Sequence, residues 1–155
     1  MADVFSKKKR SAVMAAIKGR GNRSTELAVR GMLKKLGITG WRANFASIPG
    51  KPDFAFAKIK LAIFVDGCFW HGCKKCLRNR KPAENAAYWR NKIAGNVCRD
   101  KRINRKLNRN GWSVLRIWEH LIIKKHVAVE SRILKAVRTQ NAYKSGAKTK
   151  IVSGS

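Results

Sequence analysis

Between residues 24 and 37, Val29, Met32, Leu33 and Leu36 recur at i, i+3, i+4 and i+7, the spacing that lines one face of a helix. Ser24 reads as its N-cap and Gly37 as its C-cap. The period then changes from helical to extended. Trp41 to Phe45 predicts a short strand, residues 47–52 (SIPGKP) a loop, and Asp53 to Ala57 a strand with Phe54 and Phe56 on one face. Lys58 to Lys60 turns the chain into Leu61 to Val65 (LAIFV), an unbroken apolar run suited to a central, fully buried strand. Arg78 to Pro82 reads as a basic loop. A long helix follows from about Glu84 to Asn108 with Ile93, Val97, Ile103 and Leu107 as its stripe, and Asn110-Gly111 ends it. Trp112 to Trp118 alternates as a strand, with Trp112, Val114 and Trp118 on one side. Val127 to Val137 forms a last amphipathic helix.

This order of elements predicts an α/β fold, a mixed sheet flanked by helices. With 155 residues, one domain is expected. It is bounded by a basic arm over residues 1–22, in which Ser11 to Ile17 has a short amphipathic pattern. The domain itself spans 23–139. A tail over 140–155, rich in Lys, Gly and Ser, is expected to be disordered. There is no internal repeat and no Walker-type loop. The start of the chain is polar and basic, and no apolar run approaches the ~18 residues of a membrane span. Four cysteines without an export signal favour a metal site over disulfides, and so a reducing, cytoplasmic compartment.

Charge narrows the partner. Thirty-six Lys and Arg stand against eight Asp and Glu, a net charge of +28. General solubility or an acidic membrane surface would use such a field, but aromatics interleaved with the basic segments favour nucleic acid. The arm, with Met14, then reads either as a mobile segment or as one ordered in a DNA groove. The few acids become informative, because a site that holds a divalent cation beside phosphate needs carboxylates. Asp53 opens a strand and can face a cleft. Asp100 falls on the apolar stripe, where it must be paired or coordinated, by Arg99 or Arg102 among other groups. Glu26 is either a first-turn carboxylate favoured by the helix dipole or a member of the same site.

The densest chemistry lies in residues 65–76 (VDGCFWHGCKKC). Cys68, Cys73 and Cys76 follow a C-x4-C-x2-C spacing, which suits a tetrahedral site for a soft metal, zinc first. The fourth ligand is His120, at a strand end, or Cys98, beside the stripe of the long helix; the strand end favours His120. His71 sits between the thiols and is either a ligand or a catalytic group. Phe69 and Trp70 are either core or wedges for stacked bases. His126 reads as surface.

Taken together, Pro49-Gly50-Lys51-Pro52-Asp53-Phe54 and Phe64-Val65-Asp66-Gly67-Cys68-Phe69-Trp70-His71 resemble the very-short-patch-repair (Vsr) mismatch endonucleases. Met1 to Val4, Met14, Tyr88-Trp89, Lys92-Ile93, Asn96-Val97, Arg99-Asp100, and Gly111-Trp112 through Trp118-Glu119 match in the same order, so the likeness covers about residues 1–120. The resemblance implies a restriction-endonuclease-like fold and Mg²⁺-dependent nicking of one strand beside a T:G mismatch in double-stranded DNA. It implies Mg²⁺ held by Asp53 and by the Val65 main-chain oxygen, His71 as general base oriented by Asp100, and Glu26 as a further acid of the site. Phe69, Trp70 and Trp89 would wedge between base pairs, Met14 would contact the minor groove, and Asn96 a base edge. Cys68, Cys73, Cys76 and His120 would hold structural Zn²⁺. The implied setting is a monomer at the bacterial nucleoid, near mismatch-repair or replication proteins. Two other readings stand beside it: a related homing endonuclease cutting both strands, and a zinc module that only binds DNA. The extra residue before Cys76 departs from the family's metal knuckle.

Overall fold

The structure, a computed structural model, describes residues 24–77 and 85–152, with Leu77 and residues 147–152 described by their backbone alone. The basic arm with Met14, and the Arg78 to Pro82 loop with Glu84, lie outside the described residues. Helix α1 covers residues 24–35. Then come β1 (Arg42–Ala43), β2 (Phe54–Phe56), β3 (Leu61–Asp66), α2 (Lys74–Leu77), α3 (Ala86–Arg109), β4 (Ser113–Trp118), α4 (Glu119–Lys124) and α5 (His126–Val152).

The strands form one sheet in the order β1-β2-β3-β4. The first three strands run antiparallel, joined by short connections. β4 lies parallel to β3, with Phe64 opposite Arg116 and Asp66 opposite Trp118. A parallel neighbour requires a crossover, and α3 is part of that crossover. The period of two in β3 divides the core. Leu61, Ile63 and Val65 face Val29, Met32 and Leu33 of α1, Ile122 of α4, and Val129 and Ile133 of α5. Ala62 and Phe64 face Leu107, Ile103, Trp112 and Val114. Helices therefore cover both faces, and β3 is buried along its whole length. Among the described residues, no helix is long and apolar enough to cross a membrane.

Both helix ends anticipated at glycines close in the same way. Ile38 N–H donates to the Leu33 carbonyl and Gly37 N–H to that of Lys34; Trp112 N–H donates to Leu107 and Gly111 N–H to Asn108. These are the crossed bonds of a Schellman motif. The stripe of α3 is divided in use. Ile103 and Leu107 pack toward the sheet, while Ile93 and Val97 meet the loop after β3, where a Cβ on Gly72 would lie 3.1 and 3.0 Å from them. Asp100 lies between these two contacts.

α5 departs from expectation. It does not stop at Val137 but continues to Val152, through most of the segment expected to be a disordered tail. The cause is local propensity. Residues 138–152 contain no proline and several Lys and Ala, and Gly146 alone costs only about 1 kcal/mol in a helix interior.

The loop before Asp53 is seated tightly. Gly50 has φ +82°, and a Cβ there would stand 2.5 Å from Ile103 Cγ2 and 3.3 Å from Phe64 Cε1. Gly50→Ala therefore combines overpacking with an unfavourable backbone conformation, and is expected to lower stability by about 1–3 kcal/mol. A chemical denaturation midpoint equal to that of the unsubstituted chain would show that the loop is free to move away.

Candidate active site and metal centre

The chemistry gathers at the end of the sheet where the parallel strands β3 and β4 finish. Asp53 precedes β2, and its Oδ2 accepts a hydrogen bond of 2.7 Å from the Val65 N–H. Burial, opposed by that bond and reinforced by the nearby Glu26 and Asp66 carboxylates, pushes Asp53 up to about 7 from an ordinary 3.8. In a chain of +28, three acids have thus been brought together. Such a group favours either a proton or a cation. Glu26, in the first part of α1, is half-buried.

His71 lies on the loop after β3, and its Nδ1 is 2.6 Å from Asp100 Oδ2 on α3. Because a carboxylate accepts, Nδ1 carries the proton and donates. Nε2 is then the nitrogen able to take a proton. Asp66 Oδ1 is also near, 3.7 Å from Nδ1. Asp100 therefore meets His71, the pairing the family likeness implied, and not Arg99 or Arg102 of its own helix; Arg116 Nη2 of β4 also approaches Asp100 Oδ1 at 3.4 Å.

The metal-ligating set forms beside this group. Cys68, Cys73 and Cys76 from the β3–α2 region and His120 at the start of α4 bring one ligand atom each within 4.8 Å of one another. Backbone bonds from Cys73 N–H to the Cys68 carbonyl, and from Cys76 N–H to that of Cys73, coil the loop so that its thiols converge. His120 Nδ1 is 3.2 Å from Cys68 Sγ and 3.7 Å from Cys73 Sγ. Glu119 fixes the junction by accepting from Cys68 N–H at 3.1 Å. Burial pushes the Cys68 thiol up to about 12, with crowding by Cys76 and Cys73 adding to it and a hydrogen bond involving His120 opposing it. Burial lowers the His120 pKa, and so do Lys75 and Lys124. Three thiols and one imidazole converging within this distance form a donor set that fits a soft divalent metal. His71 is not part of this set, and neither is Cys98, which is exposed on α3.

The aromatic residues form a third group. Phe69 contacts Trp70 at 5.2 Å and Trp89 at 5.3 Å between ring centroids, all edge-on; Trp70 lies 5.9 Å from Trp89. Tyr88 adds a fourth ring, 5.2 Å from Trp89 and 60% exposed. Asn96 Nδ2 donates to the Trp70 carbonyl at 2.9 Å. The amide expected at a base edge thus holds the aromatic loop onto α3. A cavity of about 400 Å³ between β4 and α5, lined in part by Arg132, Lys135 and Thr139, touches none of these three groups.

Asp66, Arg116 and Glu119 are the site residues that sequence reasoning missed. A signal existed for Arg116: it shares the side of β4 that carries Val114 and Trp118, a charge on a packed face like Asp100 on its stripe. Asp66 ends an otherwise apolar strand, which is the same kind of signal.

The sequence profile described as DNA mismatch endonuclease Vsr matches residues 2–78. The type II nicking enzyme V.NmeDIP of Neisseria meningitidis serogroup C is 37% identical over 136 residues, spanning 88% of this chain and 90% of that enzyme. The DNA mismatch endonuclease Vsr of Escherichia coli (strain K12) is 40% identical over 119 residues, 77% of this chain and 74% of its own length. The type II nicking enzyme V.HpaIIP of Haemophilus parainfluenzae is 35% identical over 137 residues, 88% of this chain and 96% of that enzyme.

The Asp53 geometry has a consequence for stability. Its folded pKa of about 7 lies above the ordinary 3.8, so the fold favours the protonated form. Its contribution to stability is complete below about pH 4 and is lost as pH rises through about 7. In the absence of added Mg²⁺, Asp53→Asn is therefore expected to gain stability relative to the parent chain between pH 5 and pH 7, with the difference levelling off above. Urea midpoints of the two proteins across that range test this. A difference independent of pH would mean that Asp53 is not held in a proton-favouring environment.

Proposed function

This chain belongs to the DNA mismatch endonuclease Vsr family, and from that premise we propose that it nicks one strand of duplex DNA beside a T:G mismatch by Mg²⁺-dependent hydrolysis, with His71 as general base. As a member of that family it is a strand-nicking DNA endonuclease. The fold we infer is restriction-endonuclease-like, consistent with a mixed four-stranded sheet carrying its acids at one end.

The observation that carries the mechanism is the 2.6 Å contact between His71 Nδ1 and Asp100 Oδ2. It fixes the ring and its tautomer, leaving Nε2 as the acceptor for a proton from the attacking water. Asp53, Glu26 and the Val65 main-chain oxygen would hold Mg²⁺, which supplies charge for the phosphate in flight. The donor set fits a hard cation, since a buried carboxylate beside two others loses its repulsion when a divalent ion joins them. Phe69, Trp70 and Trp89 would enter the stack beside the mismatch, where partial unstacking is repaid by contact with aromatic faces. Asn96 supports that wedge through Trp70. The basic residues supply phosphate attraction across the surface, and Met14 a groove contact. Cys68, Cys73, Cys76 and His120 would hold one Zn²⁺ whose role is to tie the β3–α2 loop to α4, keeping His71 and the aromatics in place. We infer that the chain acts as a monomer within the bacterial cytoplasm.

Two outcomes test this reading. Asp53→Ala is expected to abolish nicking of a T:G duplex while leaving its binding within a few-fold of the parent. His71→Ala is expected to lower the single-turnover rate by roughly 10²–10⁴. Electrophoretic retardation run beside the nicking assay separates the two effects, and a parallel loss of binding would make either residue a fold residue. Cleavage of both strands at a matched site would favour the homing reading instead.

Metal content gives an independent check. One zinc per chain is expected after dialysis against a weak chelator, retained by Cys98→Ala and His71→Ala. It should be lost in the Cys73→Ala, Cys76→Ala double variant together with cooperative unfolding, since a structural site contributes directly to folding. Elemental analysis finding no zinc in the parent chain would sink the assignment.

A further inference from the structure

Arg116 is the most fully engaged side chain of the described residues near the site, and neither the family likeness nor the proposed mechanism gives it a role. It stands on β4 with its side chain 18% exposed. Its Nη1 donates to both oxygens of Asp66, at 2.7 and 2.9 Å. Its Nε donates to Asn104 Oδ1 at 3.1 Å, and its Nη2 approaches Asp100 Oδ1 at 3.4 Å. The guanidinium lies over the Phe64 ring, 4.5 Å from its centroid, a placement that favours a cation on an aromatic face. Each nitrogen of the planar fork thus has a partner, and three elements meet through one side chain: β3 through Asp66 and Phe64, α3 through Asn104 and Asp100, and β4 itself.

The geometry around His71 shows what this accomplishes. Two carboxylates compete for its Nδ1–H: Asp100 Oδ2 at 2.6 Å and Asp66 Oδ1 at 3.7 Å. Asp66 is nearly fully buried, with 4% of its side chain exposed, and needs a strong donor. Arg116 occupies both of its oxygens, and the same guanidinium steadies the far oxygen of Asp100, leaving Oδ2 turned toward the imidazole. Without the fork, Asp66 would lose those donors, and among the described residues His71 would stand next to it, 3.7 Å away.

We propose that Arg116 is a positioning residue for the general base: by holding Asp66 away from His71 and Asp100 toward it, the guanidinium selects which carboxylate orients the imidazole. The proposal rests on the reading of His71 as base. A Lys in its place would hold the charge of Asp66 but could not fork to Asp100 and Asn104.

The test compares Arg116→Met and Arg116→Lys in the parent and in a His71→Ala background, using Mg²⁺ and a T:G duplex. Arg116→Met is expected to slow single-turnover nicking roughly 10- to 100-fold, and Arg116→Lys to fall between it and the parent. Duplex affinity should stay within about twofold of the parent and zinc content unchanged, as for a residue that acts only through the orientation of the base. In the His71→Ala background neither substitution should slow the reaction further, because the group through which Arg116 acts is gone. A second readout needs no turnover. The low-field Nδ1–H proton resonance of His71, assigned by its absence in His71→Ala, should shift or vanish in Arg116→Met. Nicking at the parent rate by Arg116→Met, an equal loss in both backgrounds, or an unmoved proton resonance would each overturn the proposal. Should Arg116→Met fail to fold, Arg116→Lys carries the test, and parent-rate nicking by it is the overturning result. Parent-rate nicking by His71→Ala would bring down the base reading and this proposal with it, whereas an inactive His71→Ala beside a fully active Arg116→Met brings down this proposal alone.

Discussion

A carboxylate removed from water requires a donor or a cation, and that requirement organises the end of the sheet. Asp53, Asp66 and Asp100 all point into a packed region of a protein otherwise dominated by Lys and Arg. Each is answered differently. Asp53 accepts from the Val65 N–H and is crowded by the Glu26 and Asp66 carboxylates, with a side-chain hydrogen bond to Glu26 that favours a shared proton. Asp66 has the guanidinium of Arg116, and Asp100 has the imidazole of His71. The first lies among other carboxylates, which suits the divalent ion proposed for it; the other two are closed by neighbouring donors, which suits the proposed fixing of a base.

The metal-ligating set supports the same region from outside. The loop after β3 carries His71 and the aromatic pair between its thiols, and a loop of this length has little core of its own. Four converging ligand atoms, the Glu119 bond to Cys68 N–H and the packing of Gly72 against Ile93 and Val97 hold it down. Tying that loop to the start of α4 keeps the imidazole within reach of Asp100 and the rings within reach of one another. A metal held by this set would therefore serve catalysis indirectly, through the loop.

Surface and site divide the work of recognition. A charge of +28 attracts any nucleic acid and carries no information about sequence or lesion. Discrimination must come from a small number of shaped contacts. The edge-on rings of Phe69, Trp70, Trp89 and Tyr88 form one patch on the chain able to enter a base stack. A mismatched pair is easier to unstack than a matched one, so the proposed wedge would read a mismatch through the cost of opening the stack.

Much of this was legible in the chain. The apolar run of β3, the helix ends at Gly37 and Gly111, and the thiol spacing each follow from local rules of period, turn chemistry and ligand spacing, which act over a few residues. The motif around Asp53 and His71 carried the family. Asp100 was visible as a charge on an apolar stripe, and the family likeness supplied His71 as its partner, a contact the structure makes in place of one to Arg99 or Arg102 on its own helix; the approach of Arg116 was not visible. The full extent of α5 was not legible, because the Lys, Ser and Gly composition of its C-terminal half is that of a polar tail, although no proline interrupts it. What only the tertiary structure decided is which distant groups meet. The β3–β4 register sets Arg116 beside Phe64 and within reach of Asp66, and the crossover lays α3 so that Asp100 reaches the loop after β3. Pairings of that kind depend on the sheet's order and register, which are settled by burial summed over the whole core, and no short stretch of sequence contains that sum.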